Sequence, residues 1–288
     1  MHPLSDQPDL YAALRASGAA PDDLPALIAA SPAPVAARLR AADQGLLRAI
    51  LRAGSGQPAI AAAPKVVDHL RGITPESLFH PNVATSRTLA LLTNDEHPDM
   101  PPFSDRRFDA WFAAKGVPYG IGTYGEDRSV YRTAQFADAL SPERRTRHLG
   151  IDVFAPAGTP LFAPLAGRVL HLTYNAAPLD YGHTLILEHR ADDLRFFTLY
   201  GHLAGTLPTL LHPGAQVVAG QHIADLGDWP ENGGWAPHVH FQIMTDMLDQ
   251  TGGNFYGVGH SSLWDVWQAI CPDPNLILRL PQSAFTLP

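Results

Sequence analysis

Five side chains able to bind a metal or carry a proton lie in three short motifs of this 288-residue chain. His148 and Asp152 form a His-x-x-x-Asp pair, and His238 and His240 form a His-x-His pair farther along. His202 lies between the two pairs, in a Tyr-Gly-His-Leu stretch. Two imidazoles and one carboxylate can hold a zinc ion (Zn2+) and leave a coordination position open for water, which is typical of a catalytic site. The motifs therefore predict a zinc-dependent amide hydrolase.

The spacing within each pair indicates how the backbone must run at the site. Residues four apart on a straight strand are separated by about 13 Å, so His148 and Asp152 cannot share one metal on such a strand. Gly150 lies between them and permits a bend that brings them together. His238 and His240 are two apart and point to the same face of a strand, with Cα atoms about 7 Å apart. One of them can bind the metal while the other stands over the substrate.

The elements that position these motifs are predicted to be short β-strands. From residue 148 onward, apolar runs alternate with Gly- and Pro-rich turns, a pattern typical of a β-sandwich or open barrel. The expected fold class is mainly β, with an antiparallel β-sandwich or open-barrel core and a small helical N-terminal region. The predicted strands are 151–154, 161–163, 168–172, 184–189, 196–200, 217–219, 223–226 and 239–243.

Composition divides the chain into three parts. Residues 1–80 are rich in Ala, Leu and Arg and are expected to form the helical N-terminal region, without chemistry of its own. Residues 81–146 are a transitional segment, in which the Gly- and Tyr-rich run 119–128 is consistent with either the wall of a substrate groove or a tight hairpin. Residues 147–288 form the β-rich domain that carries the motifs.

Charge and cysteine content exclude several classes of protein. A formal net charge of −8 argues against nucleic acid as the main partner. The single cysteine, Cys271, cannot form an intrachain disulfide, so nothing indicates an oxidising compartment. The first residues lack a cationic export signal, and no run approaches the ~18 apolar residues of a membrane span. We therefore expect a cytoplasmic protein without a membrane span.

Residues 147–243 resemble the M23 (lysostaphin/LytM-type) zinc metallopeptidases. The resemblance implies that His148, Asp152 and His240 are the zinc ligands. It also implies that His202 and His238 are catalytic histidines that do not bind the metal, and that a chain with all five positions filled is not a degenerate member. The implied activity is that of a zinc metalloendopeptidase acting on peptidoglycan-type or glycine-containing peptides. The matching stretches are 148–152 (HLGID), 157–160 (AGTP), 163–169 (APLAGRV), 200–203 (YGHL), 214–217 (GAQV) and 238–241 (HVHF).

The flanks of this region extend the resemblance. Residues 124–131 and 271–275 are similar to M23-type domains found beside class III aminotransferase domains in larger proteins. This similarity implies association with an aminotransferase-type protein. This chain departs from the secreted members of the family, which carry signal peptides. The missing signal peptide places the cell-wall substrate in question but leaves the expected chemistry unchanged.

The motifs also indicate which groups would move protons. A zinc ion lowers the pKa of a bound water to about 7, and that water then needs a proton acceptor. The chain has no His-Glu-x-x-His motif to supply a glutamate base, so a neutral histidine must accept the proton. We favour His238 as the base and His202 as the donor to the oxyanion or leaving amine, and the reverse assignment remains open.

Other functions fit parts of the pattern. Gly-rich hairpins also occur in lipoyl and biotinyl carrier domains, but these need a lysine at a hairpin tip. Here Lys65 and Lys115 are the only lysines, and both precede the motifs. A zinc-holding interaction or regulatory module without catalysis normally fills all four metal positions with protein ligands, often cysteine. The alternatives left open are such a module and an amide hydrolase with an unrelated cytosolic substrate.

Overall fold

The computed structural model describes residue 4 and residues 7–92, 99–132 and 136–286. These described residues form nine α-helices and twelve β-strands, and more of them lie in helices than in strands. The prediction of a mainly β chain is therefore wrong. The fold is mixed α/β, with a helical N-terminal region followed by an eight-stranded, mostly antiparallel open sheet and two small two-stranded sheets, where an antiparallel β-sandwich or open barrel was expected.

The elements follow in chain order. The helices are α1 (Leu10–Ala16), α2 (Leu24–Ala30), α3 (Ala33–Ala41), α4 (Gln44–Gly54), α5 (Ala63–Gly72), α6 (Arg107–Ala114), α7 (Leu207–Leu210), α8 (Trp264–Ile270) and α9 (Asn275–Leu278). The strands are β1 (Thr88–Ala90), β2 (Tyr119–Gly122), β3 (Arg147–His148), β4 (Ile151–Phe154), β5 (Pro160–Phe162), β6 (Gly167–Asn175), β7 (Gly182–Ala191), β8 (Leu194–Leu203), β9 (Gln216–Val217), β10 (His222–Asp225), β11 (His238–Met244) and β12 (Val258–Gly259). Each of the eight predicted strands overlaps one of β4 to β11.

Two of the N-terminal helices, α1 and α4, begin at capping carboxylates and bury one side against the sheet. Asp9 accepts a hydrogen bond from the backbone N–H of Ala12 (3.0 Å) at the start of α1, and Asp43 caps α4 in the same way. Apolar side chains of α1 and α4 share a buried cluster with α8 and with Phe197 on β8. Because this face of the sheet is covered by helices, no second sheet is needed to bury it. No described helix combines the length and apolar character needed to cross a membrane.

Strand β11 lies inside the sheet and positions the His-x-His motif. The sheet order is β1-β2-β4-β11-β8-β7-β6-β9, and only β1 and β2 pair in parallel. Every residue of β11 is buried because both of its faces are covered. Val239 and Phe241 belong to the core on one face, while His238 and His240 alternate with them. In this register His240 lies opposite Asp152 on β4.

Strand β7 carries a buried histidine outside the motifs, and it should make the fold sensitive to acid. His189 is 2% exposed; its Nδ1 lies 2.8 Å from the carbonyl oxygen of Ala166 and its Nε2 lies 2.8 Å from the hydroxyl of Thr198. Burial lowers the pKa of His189 to about 4. In the unfolded chain this histidine has an ordinary pKa of about 6.5. Between this pH and about 4, the unfolded chain therefore binds a proton at His189 that the folded chain does not bind.

We expect the free energy of unfolding to fall as the pH is lowered from about 6.5 toward 4. The folded pKa of His189 lies below the unfolded one. Its contribution to stability is therefore fully present above about pH 6.5 and is lost as the pH falls toward 4, and it amounts to on the order of 3 kcal/mol. Urea denaturation over a pH series on the parent and on His189→Gln measures it. The variant should show a shallower dependence on pH, and His212→Gln, at an exposed position, should not. Equal slopes in the parent and His189→Gln would contradict the assignment.

Candidate active site

The structure brings the five predicted side chains together at one end of the sheet. His148 ends β3, Asp152 lies on β4, His202 lies near the end of β8, and His238 and His240 lie on β11. All five are buried, and none is more than 6% exposed. Hydrogen bonds, charges and burial around the five side chains indicate which of them can bind a metal and which can carry a proton.

His148, Asp152 and His240 form a group that can hold one metal ion. Each offers one ligand atom, and these atoms lie within 4.8 Å of one another. Nε2 of His148 is 3.0 Å from Nδ1 of His240, and Oδ1 of Asp152 is 3.2 Å and 3.1 Å from these nitrogens. Two imidazoles and a carboxylate suit zinc, and three protein ligands leave a coordination position open. The donor set therefore fits the metal that the motifs predict.

A bend at Gly150 makes this group possible. The backbone bends between β3 and β4, as the spacing of His148 and Asp152 predicts. A Cβ atom at Gly150 would lie 2.5 Å from Cε1 of His240 and 2.9 Å from the backbone oxygen of Phe241, so a side chain has no room there. The predicted bend at Gly150 is present, and the close approach of the His240 imidazole is the reason that the structure gives for glycine at this position.

Both metal-group histidines are oriented by a hydrogen bond from the ring nitrogen that faces away from the group. Nδ1 of His148 donates to the carbonyl oxygen of Thr123 (2.9 Å), which leaves Nε2 free as a ligand. Nε2 of His240 donates to Oε1 of Gln242 (2.8 Å), and the Gln242 amide donates in turn to the carbonyl oxygen of Tyr256 (3.1 Å). Such outer contacts fix the tautomer and the orientation of ligating imidazoles.

The carboxylate of Asp152 faces the group with one oxygen and a buried cation with the other. Nη1 of Arg128 donates to Oδ2 of Asp152 over 2.6 Å, and both side chains are almost completely buried. Burial alone would raise the pKa of Asp152, but His148 and Arg128 outweigh it and hold this pKa well below its usual range. Burial, followed by the charge of Arg128, lowers the pKa of His148 to about 4. The group is therefore an ionised carboxylate with a neutral imidazole beside it.

His202 and His238 form a second pair next to the metal group. Their ring centroids are 4.2 Å apart, and Nε2 of His238 is 3.9 Å from Oδ1 of Asp152. Each ring donates through Nδ1 to a backbone carbonyl, of Asn232 (2.7 Å) and of Ala236 (2.6 Å) respectively. Burial lowers the pKa of His238 to about 4, and burial together with His238 holds the pKa of His202 well below its usual value. Both rings are therefore neutral near pH 7, with Nε2 unprotonated.

The backbone of His202 is held in a conformation that residues with a side chain rarely adopt. Its φ is 63°, in the left-handed region, which costs a residue with a Cβ roughly 1–2 kcal/mol. The backbone around it is anchored, because its N–H donates to the carbonyl oxygen of Tyr181 (2.7 Å) and its own carbonyl oxygen accepts from Gly227 (2.9 Å). A strained residue kept in place by its surroundings is typical of a functional position.

A cavity of about 310 Å³ opens over these side chains. Asp152, His202, His238 and His240 lie in its lining. The walls come from residues before β3, from the loop between β6 and β7, from Trp235 before β11, and from the stretch that leads into β12. The first group contributes Phe103, Arg128, Val130, Tyr131, Phe136 and Arg145, the loop contributes Leu179, Asp180 and Tyr181, and the last stretch contributes Gln250, Asn254, Phe255, Tyr256, Gly257 and Val258. Of the run 119–128, residues 119–122 form β2 inside the sheet and Arg128 forms part of the wall.

Sequence reasoning missed the residues that hold the side chains of the metal-binding group in place. Thr123 and Arg128 lie in a run whose composition gives no sign of their role, and they reach the site only through the fold. Gln242 could have been found, because it lies two residues after His240 and so points to the same face of β11.

Comparisons with known proteins agree with this geometry. Residues 146–251 match the model of peptidase family M23. An uncharacterized lipoprotein, YgeR of Escherichia coli (strain K12), is 34% identical over 94 residues, which are 33% of this chain and 33% of that protein. An uncharacterized metalloprotease of Haemophilus influenzae is 29% identical over 121 residues, 40% of this chain and 23% of that protein. The chain thus spans a third or less of the length of these curated relatives.

Two solved structures are also similar over part of the chain. A zinc-containing peptidase from Vibrio cholerae shares 30% identity, with 35% of this chain and 28% of that chain covered and a TM-score of 0.29. The catalytic domain of lysostaphin from Staphylococcus simulans shares 22% identity, with 54% of this chain and 96% of that chain covered and a TM-score of 0.33. These matches give no support to the narrower resemblance to aminotransferase-associated domains. The match to peptidase family M23 covers residues 146–251, and these residues contain the metal-binding group and both neighbouring histidines.

Proposed function

We propose that the chain is a zinc-dependent endopeptidase that hydrolyses peptide bonds in peptidoglycan-type or glycine-containing peptides. The observation that carries the proposal is the buried group of His148, Asp152 and His240 beside two neutral histidines, with Asp152, His202, His238 and His240 lining a cavity. The M23 match supports peptide hydrolysis, and the preference for peptidoglycan-type peptides follows from the family.

The three ligand side chains would hold the metal through Nε2 of His148, Nδ1 of His240 and Oδ1 of Asp152. When bound, zinc supplies a Lewis acid that acidifies water and polarises a carbonyl oxygen. The chain itself excludes bulk water from the site by burying all of these groups, which strengthens every electrostatic contact there.

His238 and His202 are proposed to move the protons. His238 lies nearer to Asp152 and accepts the proton of the attacking water at Nε2. Because Nδ1 of His202 donates to Asn232, its Nε2 carries no proton at rest, so His202 can donate to the leaving amine only after the proton that His238 took from water has passed to it. The two rings have the same tautomer and lie side by side, and the reverse assignment meets the same requirement.

The size of the cavity suggests the size of the substrate. Pockets for small ligands span roughly 300–1,000 Å³, and the cavity here, at about 310 Å³, lies at the lower end. Aromatic side chains of Tyr131, Phe255 and Tyr256 contribute to its walls. We infer that a short stretch of peptide enters the site, with the scissile carbonyl next to the metal group.

The test is hydrolysis by the purified full chain. We expect about one zinc per chain by elemental analysis, and mass spectrometry should show cleavage of purified peptidoglycan or of peptides from a glycine-containing panel. A chelator should abolish cleavage and added zinc should restore it. A zinc-loaded protein that cleaves neither substrate would contradict the proposal, as would a metal-free protein that refuses zinc. Cleavage of the peptides but not of peptidoglycan would indicate a different natural substrate.

A further inference from the structure

We propose that Arg128 is a positioning residue of the metal site, which holds one oxygen of Asp152 so that the other faces the metal. The inference rests on the proposed function, in which Asp152 is a ligand. Arg128 lies outside residues 146–251, so the segment before the M23 region would form part of the site.

The contacts of Arg128 leave Asp152 little freedom to rotate. Nη1 of Arg128 is 2.6 Å from Oδ2 of Asp152, while Oδ1 of the same carboxylate lies between His148 and His240. Nε of Arg128 is 2.9 Å from Oε2 of Glu126, which fixes the guanidinium from its other side. The Arg128, Asp152 and Glu126 side chains are 2%, 3% and 6% exposed, so water does not compete for these contacts.

The backbone brings Arg128 to this position by pairing with the chain around β3. The N–H of Gly125 donates to the carbonyl oxygen of His148 (2.8 Å), and the N–H of His148 donates to the carbonyl oxygen of Glu126 (2.9 Å). The N–H of Arg128 donates to the carbonyl oxygen of Thr146 (3.2 Å). Because the same segment is bonded to the residue that binds the metal, the guanidinium and the ligand His148 are held in one framework.

A glycine makes room for the guanidinium. Gly122 on β2 lies opposite Asp152 on β4 in the register of the sheet. A Cβ atom at Gly122 would lie 2.6 Å from Nη2 of Arg128 and 3.1 Å from Cβ of Asp152. Within the described residues Nη2 is buried without a hydrogen-bond partner, which indicates that the other two nitrogens, on Asp152 and Glu126, determine where the group lies.

Charge and geometry make opposite predictions for the loss of Arg128. A cation beside the site repels a divalent metal, so removal of its charge alone would favour zinc binding. Loss of the hydrogen bond to Oδ2 frees Asp152 to turn away, and outer partners of this kind are typically worth ~10–100-fold in metal affinity. Glu126 offers a way to separate the two effects, since Arg128→Met combined with Glu126→Gln removes the positioning group without a change in net charge.

The experiment measures zinc affinity of the full chain by competition with a chromophoric chelator at one pH. We expect Arg128→Met/Glu126→Gln to bind zinc ~10–100-fold more weakly than the parent. Arg128→Lys should lie in between, because lysine keeps the charge but lacks the planar guanidinium that donates to both carboxylates. Gly122→Ala keeps the Arg128 residue but takes up the space of its guanidinium, and it should also weaken zinc binding. This readout needs no substrate, so it stands even if the chain cleaves none of the peptides tested.

Arg15→Met is the matched control. It breaks a different arginine–aspartate pair, from Arg15 to Asp265 (2.8 and 2.6 Å), which joins α1 to α8 away from the proposed ligands. This control should keep the zinc affinity of the parent. Thermal midpoints without zinc report any general loss of stability. A double variant with parental zinc affinity would overturn the proposal, whether or not its midpoint falls, because Arg128 would then be only a structural ion pair.

Discussion

Replacement of His148, Asp152 or His240 is expected to abolish zinc binding and peptide hydrolysis together. Each removal leaves two protein donors on the metal, and three ligands are the minimum of a catalytic zinc site. The loss of zinc affinity should exceed the ~10–100-fold typical of an outer partner. His148→Ala and His240→Ala test the imidazoles. Asp152→Asn is preferable to Asp152→Ala, because an amide oxygen can still accept the hydrogen bond from Nη1 of Arg128, so this buried donor keeps a partner.

Elemental analysis and chelator competition measure the metal, and kinetics on a cleaved peptide measure activity. His212→Ala, at an exposed histidine, is the control and should match the parent in both. Stoichiometric zinc and full activity in His240→Ala would contradict the ligand assignment. If His238→Ala loses zinc while His240→Ala keeps it, the roles within the His-x-His pair are reversed.

Replacement of His202 or His238 by Ala should separate turnover from metal binding. Neither ring belongs to the metal-binding group, so zinc should remain near one per chain. Turnover should nevertheless fall by ~10²–10⁴-fold, which is the usual contribution of general acid–base catalysis. KM should change less than kcat if the rings act mainly in the transition state. Zinc content and steady-state kinetics on both single variants check this result.

The double variant adds a test of whether the two rings act on one proton path. Their centroids are 4.2 Å apart, so residues this close are expected to couple. If His238 accepts the proton and His202 delivers it, loss of either breaks the path, and the double variant should be little worse than the weaker single variant. Full activity in both single variants would refute the proton roles while leaving the metal site untouched.

The local chemistry of the site could be predicted from the sequence because it depends on near neighbours in the chain. Two histidines separated by one residue on a strand must share a face, and His238 and His240 do. A glycine between His148 and Asp152 allows the bend that brings them together. The strands β4 to β11 were also foreseen, because alternating apolar runs and turn residues are local signals.

The fold class was predicted only in part, for a physical reason that the strands themselves illustrate. A strand alternates in the same way whether a second sheet or a layer of helices covers its inner face. Here helices such as α1 and α4 cover one face of the sheet, where a β-sandwich would place strands. The pattern of the strands therefore could not distinguish a sandwich from an open sheet, although the helical N-terminal region itself was recognised.

The sequence by itself determined the five chemical groups, the bend and the shared face, since each depends on residues a few positions apart. Only the tertiary structure decided how these groups are held. Arg128 meets Asp152 through pairing of a preceding segment with β3, and Thr123 meets His148 in the same way. The cavity closes through several segments far apart in the chain, before β3, between β6 and β7, and before β12. Such contacts depend on which backbones lie side by side, and a single arginine or threonine in a loop carries no local signal of that.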